Sequence, residues 1–281
     1  EAQDTSVARS CSVMAEMETR MAEKKKCMAV IVSQSKISEG IYSMWLQFPG
    51  DYNIAAQAVP GQFISMYCND KTKLLPRPIS ICEVNKQEST LRVVYRVVGG
   101  GTEEFSTYTA GDKIDIIGPL GNGFVKRAGK KAILIGGGIG IPPMVELAKE
   151  LKDIAEVQIV AGYRNELFLT EELESNGTLF IATEDGSTGT KGTVIDAIKE
   201  QNVEGAVIYA CGPTPMLKAI KEYALEKKIE CQLSLEERMA CGIGACLACV
   251  CKSTNKDHHT NVNNKRICKD GPVFLAEEVD L

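Results

Sequence analysis

Between residues 241 and 251 the chain reads Cys241-Gly-Ile-Gly-Ala-Cys246-Leu-Ala-Cys249-Val-Cys251, and Cys268 follows after a polar stretch. No other feature limits the fold so tightly. Thiolates spaced C-x4-C-x2-C, with a distant fourth, are the ligand pattern of a plant-type 2Fe–2S cluster. A tight loop presents three sulfurs and a returning segment supplies the fourth. Gly242 and Gly244 let the loop wind closely and turn backbone N–H groups toward sulfur. Five cysteines compete for four places. On an extended segment Cys249 and Cys251 face the same way, whereas Cys268 lies in a separate segment. Position therefore favours Cys241, Cys246, Cys249 and Cys268. Structural zinc usually pairs its cysteines as two C-x2-C units, and here only one exists. A bound iron–sulfur cluster makes the chain a carrier of single electrons.

The rest of the chain bounds the setting. Its 281 residues suffice for two domains plus a small appendage. A net charge of −5 argues against nucleic acid as the main partner. No stretch approaches the roughly 20 apolar residues of a membrane span. Eleven cysteines, an odd number crowded toward one end, suit a reducing cytoplasm better than a disulfide framework. Residues 1–26 are polar, end in three lysines and lack the apolar core of a secretory signal. They read as a leader or tail outside the fold.

Residues 27–125 alternate short apolar strands with turns: 29–32, 41–48, 62–67 and 91–98, with Pro60-Gly61 between. That spacing implies an antiparallel barrel or sandwich. From residue 131 the rhythm changes. Apolar strands at 132–135, 157–161, 179–182 and 206–210 alternate with helical stretches, which implies a doubly wound parallel sheet over 129–230. Residues 231–281 are loop-rich and hold the cysteines. Within them His258 and His259 could join a His2Cys2 centre, but four suitable cysteines exist already, and solvent-facing histidines are the simpler account.

Four further motifs carry chemistry. Arg77-Pro78-Ile79-Ser80 opens a strand, with Arg77 able to pair with phosphate and Ser80 to donate to a ring nitrogen. A surface arginine before a strand is the competing account. Gly99-Gly100-Gly101-Thr102 opens a short helix over 103–108. It suits phosphate approach or a hairpin turn with Thr102 as N-cap. Gly136-Gly137-Gly138-Ile139-Gly140 lies between strand and helix, with Pro142 and Pro143 preset for the first helical turn. It departs from G-x-G-x-x-G at the last position but offers the same close backbone approach to a dinucleotide. Cys211-Gly212-Pro213 ends a strand, where open α/β sheets bind ligands; a buried structural cysteine is the alternative. After the 157–161 strand, Arg164 would meet a 2′-phosphate and Glu166 a 2′-hydroxyl, or the two form a solvated pair.

Taken in order, these stretches, with Gly118-Pro-Leu-Gly-Asn-Gly-Phe124 and Cys268-Lys-Asp-Gly-Pro272, resemble the ferredoxin–NADP reductase superfamily. Within it, residues 27–281 are most similar to the electron-transfer subunits of class 1B dihydroorotate dehydrogenases. The resemblance implies a flavin barrel, a nicotinamide domain and a C-terminal 2Fe–2S subdomain. It implies that Arg77, Pro78, Ile79, Ser80, Val94, Tyr95, Arg96, Gly101 and Thr102 hold FAD. It also implies that Gly136, Gly137, Gly138, Gly140, Cys211, Gly212 and Pro213 meet NAD, and that the four cysteines hold the cluster. The implied partner is an FMN-containing catalytic subunit, in a heterotetramer, that oxidises dihydroorotate in pyrimidine biosynthesis. Ile79 stands where many relatives carry a flavin-stacking aromatic, and the loop after Cys251 is long for the family. A flavin subunit of another complex, such as a ferredoxin:NADP oxidoreductase or a sulfhydrogenase, would use the same motifs. A zinc-binding scaffold is the non-enzymatic alternative.

Overall fold

A computed structural model describes residues 25–50, 52–256 and 261–281. The leader up to residue 24 and the pair His258 and His259 lie outside the described residues.

Six antiparallel strands close a barrel: β1 (Lys25–Ser38), β2 (Ile41–Gln47), β3 (Phe63–Met66), β4 (Arg77–Asn85), β5 (Thr90–Arg96) and β6 (Lys113–Leu120), in the order β1-β2-β5-β4-β3-β6. Each strand alternates. Leu91, Val93 and Tyr95 of β5 meet Met44, Leu46, Ile64, Met66 and Ile81 inside, as the two-residue period requires. The one-turn helix α1 (Ile54–Gln57) and the helix α2 (Gly100–Ser106) close its ends. Lys25 and Lys26 belong to β1, not to the leader. Backbone pairing with Ile117 and Gly118 needs no apolar side chain, and Lys26 finds Asp115 at 2.8 Å.

The second layer is a seven-stranded sheet. Its members are β7 (Ala132–Gly137), β8 (Val157–Tyr163), β9 (Thr178–Thr183), β10 (Thr190–Lys191), β11 (Val207–Cys211) and β12 (Glu230–Ser234), closed at one edge by the C-terminal β15 (Val273–Leu275). The order is β10-β9-β8-β7-β11-β12-β15, parallel except for the β12–β15 pair. Helices α3 (Pro142–Leu151), α4 (Thr170–Glu174), α5 (Val194–Glu200) and α6 (Thr214–Lys227) cover it. The direction of strand succession reverses between β7 and β11, and such a switch point leaves a crevice at the strands' carboxyl ends.

The sheet extends to Ser234, past the expected boundary at residue 230. Gln232 conceals this strand in the sequence. Its buried amide accepts from Val125 N at 2.8 Å and donates to Val125 O at 2.9 Å. A polar residue thus sits in a buried strand because it fastens the segment joining barrel to sheet. After β12 come a long loop, the hairpin β13 (Val250–Lys252) and β14 (Asn264–Arg266), and the one-turn helix α7 (Ile267–Asp270).

Barrel and sheet share a polar seam. Glu146 of α3 accepts from Val84 N at 2.8 Å. Lys149 reaches Glu83 at 3.3 Å, and Arg92 reaches Glu172 at 2.9 Å.

Candidate functional site

Two clefts open along this seam and share Arg96, Gly137, Ile139 and Pro213 on their walls. The first, of about 990 Å³, is bounded by three stretches far apart in sequence: the start of β4 with the end of β5, the turn after β7 with the end of β11, and residues 234–239 leading into the cysteine loop. The second, of about 1200 Å³, runs from Gly137 and Gly138 over the carboxyl end of β8 to α5 and α6.

Arg77, Pro78, Ile79 and Ser80 all border the first cleft. Arg77 donates to Leu75 O and has no carboxylate partner among the described residues. Its guanidinium lies flat against Gly101, where any Cβ would run into it. Gly101 is therefore set by Arg77 and stays behind it. Thr102 is not an N-cap. Gly99 caps α2, and the Thr102 hydroxyl accepts from Val98 N at 2.9 Å and Gly99 N at 3.2 Å. Val94, Tyr95 and Arg96 reach the wall, yet the Tyr95 hydroxyl turns inward to Gln34 at 2.8 Å. Only backbone or ring edge of Tyr95 is left for a ligand.

The glycines after β7 divide by cause. Gly136 lies within the strand opposite Cys211, and a Cβ there would come within 2.9 Å of Ile141 Cα. Gly140 presses on the Cys211 carbonyl. Packing alone would require glycine at both, and Gly140 also borders the first cleft. Gly138, at φ +54° with nothing within 4 Å of a Cβ position, opens onto the second cleft. Gly137 borders both. Cys211 ends β11 on the wall of the first cleft, with Gly212 and Pro213 beside it. Burial pushes its thiol up to about 12, against the lowering influence of Ser234. It is a neutral thiol and no nucleophile.

Arg164 and Glu166 both line the second cleft. Glu166 does not wait for a ribose: it accepts from Ser38 Oγ at 2.6 Å and Glu39 N at 3.2 Å on the β1–β2 turn. That places its carboxylate on the barrel side, and sequence gave no sign of it.

The cysteines fall into two pairs. Cys241 lies beside Cys246, and Cys249 beside Cys268. The Cys241 sulfur also accepts from Ala245 N at 3.3 Å and Ile243 N at 3.5 Å. Partial burial opposes ionisation there, but these donors overcome it and hold the thiol at about 6. Cys249 accepts from Cys268 N at 3.4 Å, and both are almost fully buried. Gly242 and Gly244 take φ of +68° and +88° to bend the loop. Cys251, on β13, pairs across the hairpin with Lys265. Among the described residues, no three Cys, His, Asp or Glu side chains converge as a single-ion site requires. Two pairs of thiols, each beside backbone donors, suit a two-iron centre with two sulfur ligands per iron.

The wall formed by residues 234–239 was not legible in the sequence, because no periodicity or glycine marks it. Glu236, Glu237, Arg238 and Met239 border the first cleft on the way to Cys241, and so bring the cysteine loop beside it.

Comparison with known proteins agrees with this geometry. Residues 236–280 match the iron–sulfur cluster binding domain of dihydroorotate dehydrogenase B. Residues 134–222 match the oxidoreductase NAD-binding domain. The chain is 42% identical over 254 residues to the dihydroorotate dehydrogenase B (NAD(+)) electron transfer subunit of Caldanaerobacter subterraneus subsp. tengcongensis, covering 90% of this chain and 98% of that one. It is 46% identical to the protein of the same name from Listeria monocytogenes serovar 1/2a, covering 89% and 97%. Among solved structures, an NADH-dependent reduced ferredoxin-NADP oxidoreductase superimposes with a TM-score of 0.80 at 32% identity, covering 90% of this chain and 89% of that one. The ferredoxin reductase of carbazole 1,9a-dioxygenase, at 20% identity and a TM-score of 0.62, shares the fold.

Proposed function

The chain belongs to the family of dihydroorotate dehydrogenase B electron transfer subunits, and from that membership we propose that it passes electrons from dihydroorotate, oxidised on an FMN-containing partner subunit, through a 2Fe–2S cluster and FAD to NAD+. It is an NAD-dependent oxidoreductase subunit with no dihydroorotate site of its own. It works in a heterotetramer, in the cytoplasm, within pyrimidine biosynthesis. Among the described residues no helix is long and apolar enough to cross a membrane.

The observation that carries the reading is the common wall. The Arg77–Ser80 strand, the β7 turn with Cys211, and the chain entering the cysteine loop all bound one cleft. When bound there, FAD exchanges two electrons with nicotinamide and one at a time with the cluster. The protein's own part is placement. Arg77, held against Gly101, presents its guanidinium to a pyrophosphate. Ser80 donates to the flavin ring. Gly137 and Gly138 let a dinucleotide backbone run from one cleft into the other. Cys211, neutral and half-buried, shapes the nicotinamide end. Cys241, Cys246, Cys249 and Cys268 hold the two irons.

The same test separates this from the ferredoxin:NADP oxidoreductase reading, which the similarity to the bifurcating enzyme favours. The isolated chain should oxidise NADH with an artificial acceptor, yet leave dihydroorotate and NAD+ unreacted. Adding the FMN subunit should couple the two. Turnover without the partner would reveal a substrate site in this chain. No turnover with it would move the chain to another reductase complex.

A further inference from the structure

Ser65 of β3 is only 1% exposed, and among the described residues its Oγ is the one buried side-chain nitrogen or oxygen with no hydrogen-bond partner. A hydroxyl buried unpaired is destabilising, and native interiors seldom keep one without a use. Its direction is fixed by the strand. Ile64 and Met66 point into the barrel core, so Phe63 and Ser65 point outward.

Outward lies the cysteine loop. A Cβ on Gly242, the residue after Cys241, would come 2.7 Å from Ser65 Oγ and 3.6 Å from Leu120 Cδ1. Position 242 therefore needs glycine twice over: for its φ of +68° and for the closeness of this hydroxyl. Across the β3–β4 pair Ser65 faces Pro78, which borders the first cleft. The hydroxyl thus stands between the ligand loop and the strand that frames the flavin cleft.

We propose that Ser65 is a positioning residue of the iron–sulfur centre, its O–H donating a hydrogen bond to sulfur at the Cys241 end of the cluster and raising the reduction potential there. This rests on the cysteine array being a 2Fe–2S site. Reduction adds negative charge to the centre, so a fixed donor favours the reduced form. Hydrogen bonds to the sulfurs are among the levers by which proteins set cluster potentials.

The test is Ser65→Ala in the loaded chain, followed by an EPR-monitored redox titration. The variant should keep full iron and labile sulfide. Its cluster should become harder to reduce by roughly tenfold in the one-electron equilibrium, about 59 mV. An exchangeable proton near the reduced cluster, found in the wild type by comparing H2O with D2O, should disappear. An unchanged or raised potential, or survival of that proton, overturns the proposal. Loss of the cluster overturns it too, since one donor tunes a centre but does not hold it. A wild-type chain without iron and labile sulfide would overturn the cluster reading itself, so the two failures are distinct.

Discussion

Arg77 is the residue on which the flavin site turns. It starts β4, its guanidinium rests on Gly101, and it faces the cleft with no carboxylate partner among the described residues. Charge-assisted hydrogen bonds contribute about 1.5–3 kcal/mol. Arg77→Ala should therefore weaken FAD binding by about tenfold to a hundredfold, read by flavin fluorescence titration. Hydride transfer in the fraction that stays loaded should change little, because a guanidinium that grips phosphate takes no part in it. Unaltered flavin affinity would remove Arg77 from the site. The cysteines give a second contrast at this scale. Cys268 lies beneath Cys249, while Cys251 sits on β13 opposite Lys265. Cys251→Ser should retain iron and labile sulfide, and Cys268→Ser should lose them. The reverse result would make Cys251 the fourth ligand.

At the scale of elements, the segment from Asn69 to Pro76 decides how the first cleft is walled. It has no regular structure, and Leu74 and Leu75 are exposed at its crest. What fixes it is Glu104 of α2, which accepts from Asn69 N at 2.6 Å, Asp70 N at 3.1 Å and Lys73 Nζ at 2.8 Å. The cost of desolvating this carboxylate is outweighed by Lys73, Tyr108 and the two backbone donors, which hold it at about 2. It is therefore ionised at neutral pH. Glu104→Gln keeps an acceptor for the backbone but loses the ion pair. The expected result is a several-fold faster release of FAD and quicker proteolysis between residues 69 and 76, with the melting temperature nearly unchanged. A slower release would show that the clasp hinders the ligand instead of securing its wall.

For the whole molecule, the barrel and sheet must stay in register for the clefts to exist, and Glu146 sits in that seam. Burial raises its carboxyl above the ordinary glutamate value of about 4.5, only partly offset by Val84 N–H and Lys149. The folded state then holds the proton more tightly than the unfolded state. The favourable contribution is complete below about pH 4.5 and is lost as pH rises through the raised value. Glu146→Gln keeps an acceptor for Val84 N–H and removes the titration. Its stability relative to wild type should rise as pH increases through that interval and level off above it, measured by denaturant unfolding at several pH values. An unchanged difference across pH would show that Glu146 does not titrate between the two states.

Sequence alone determined the parts whose signal is local. Alternation in β5, the apolar run of β7 and the helical stretch of α6 are visible because side-chain period follows backbone geometry. The cysteine spacing is equally local, since a tight loop must present its sulfurs at fixed intervals. What it left open was long-range. Gln232 is polar for the sake of Val125, 107 residues away, so β12 looked like loop. Gly136 and Gly140 looked like ligand contacts, and the sequence could not show that their lack of a side chain also serves Ile141 and Cys211. Thr102 and Tyr95 border the first cleft, but their hydroxyls are already bonded to Gly99 and Gln34. Ser65 carried no signal at all. Only closing the barrel against the cysteine loop gives it a neighbour, because a hydroxyl's partner is set by which surfaces meet and not by the residues beside it in the chain.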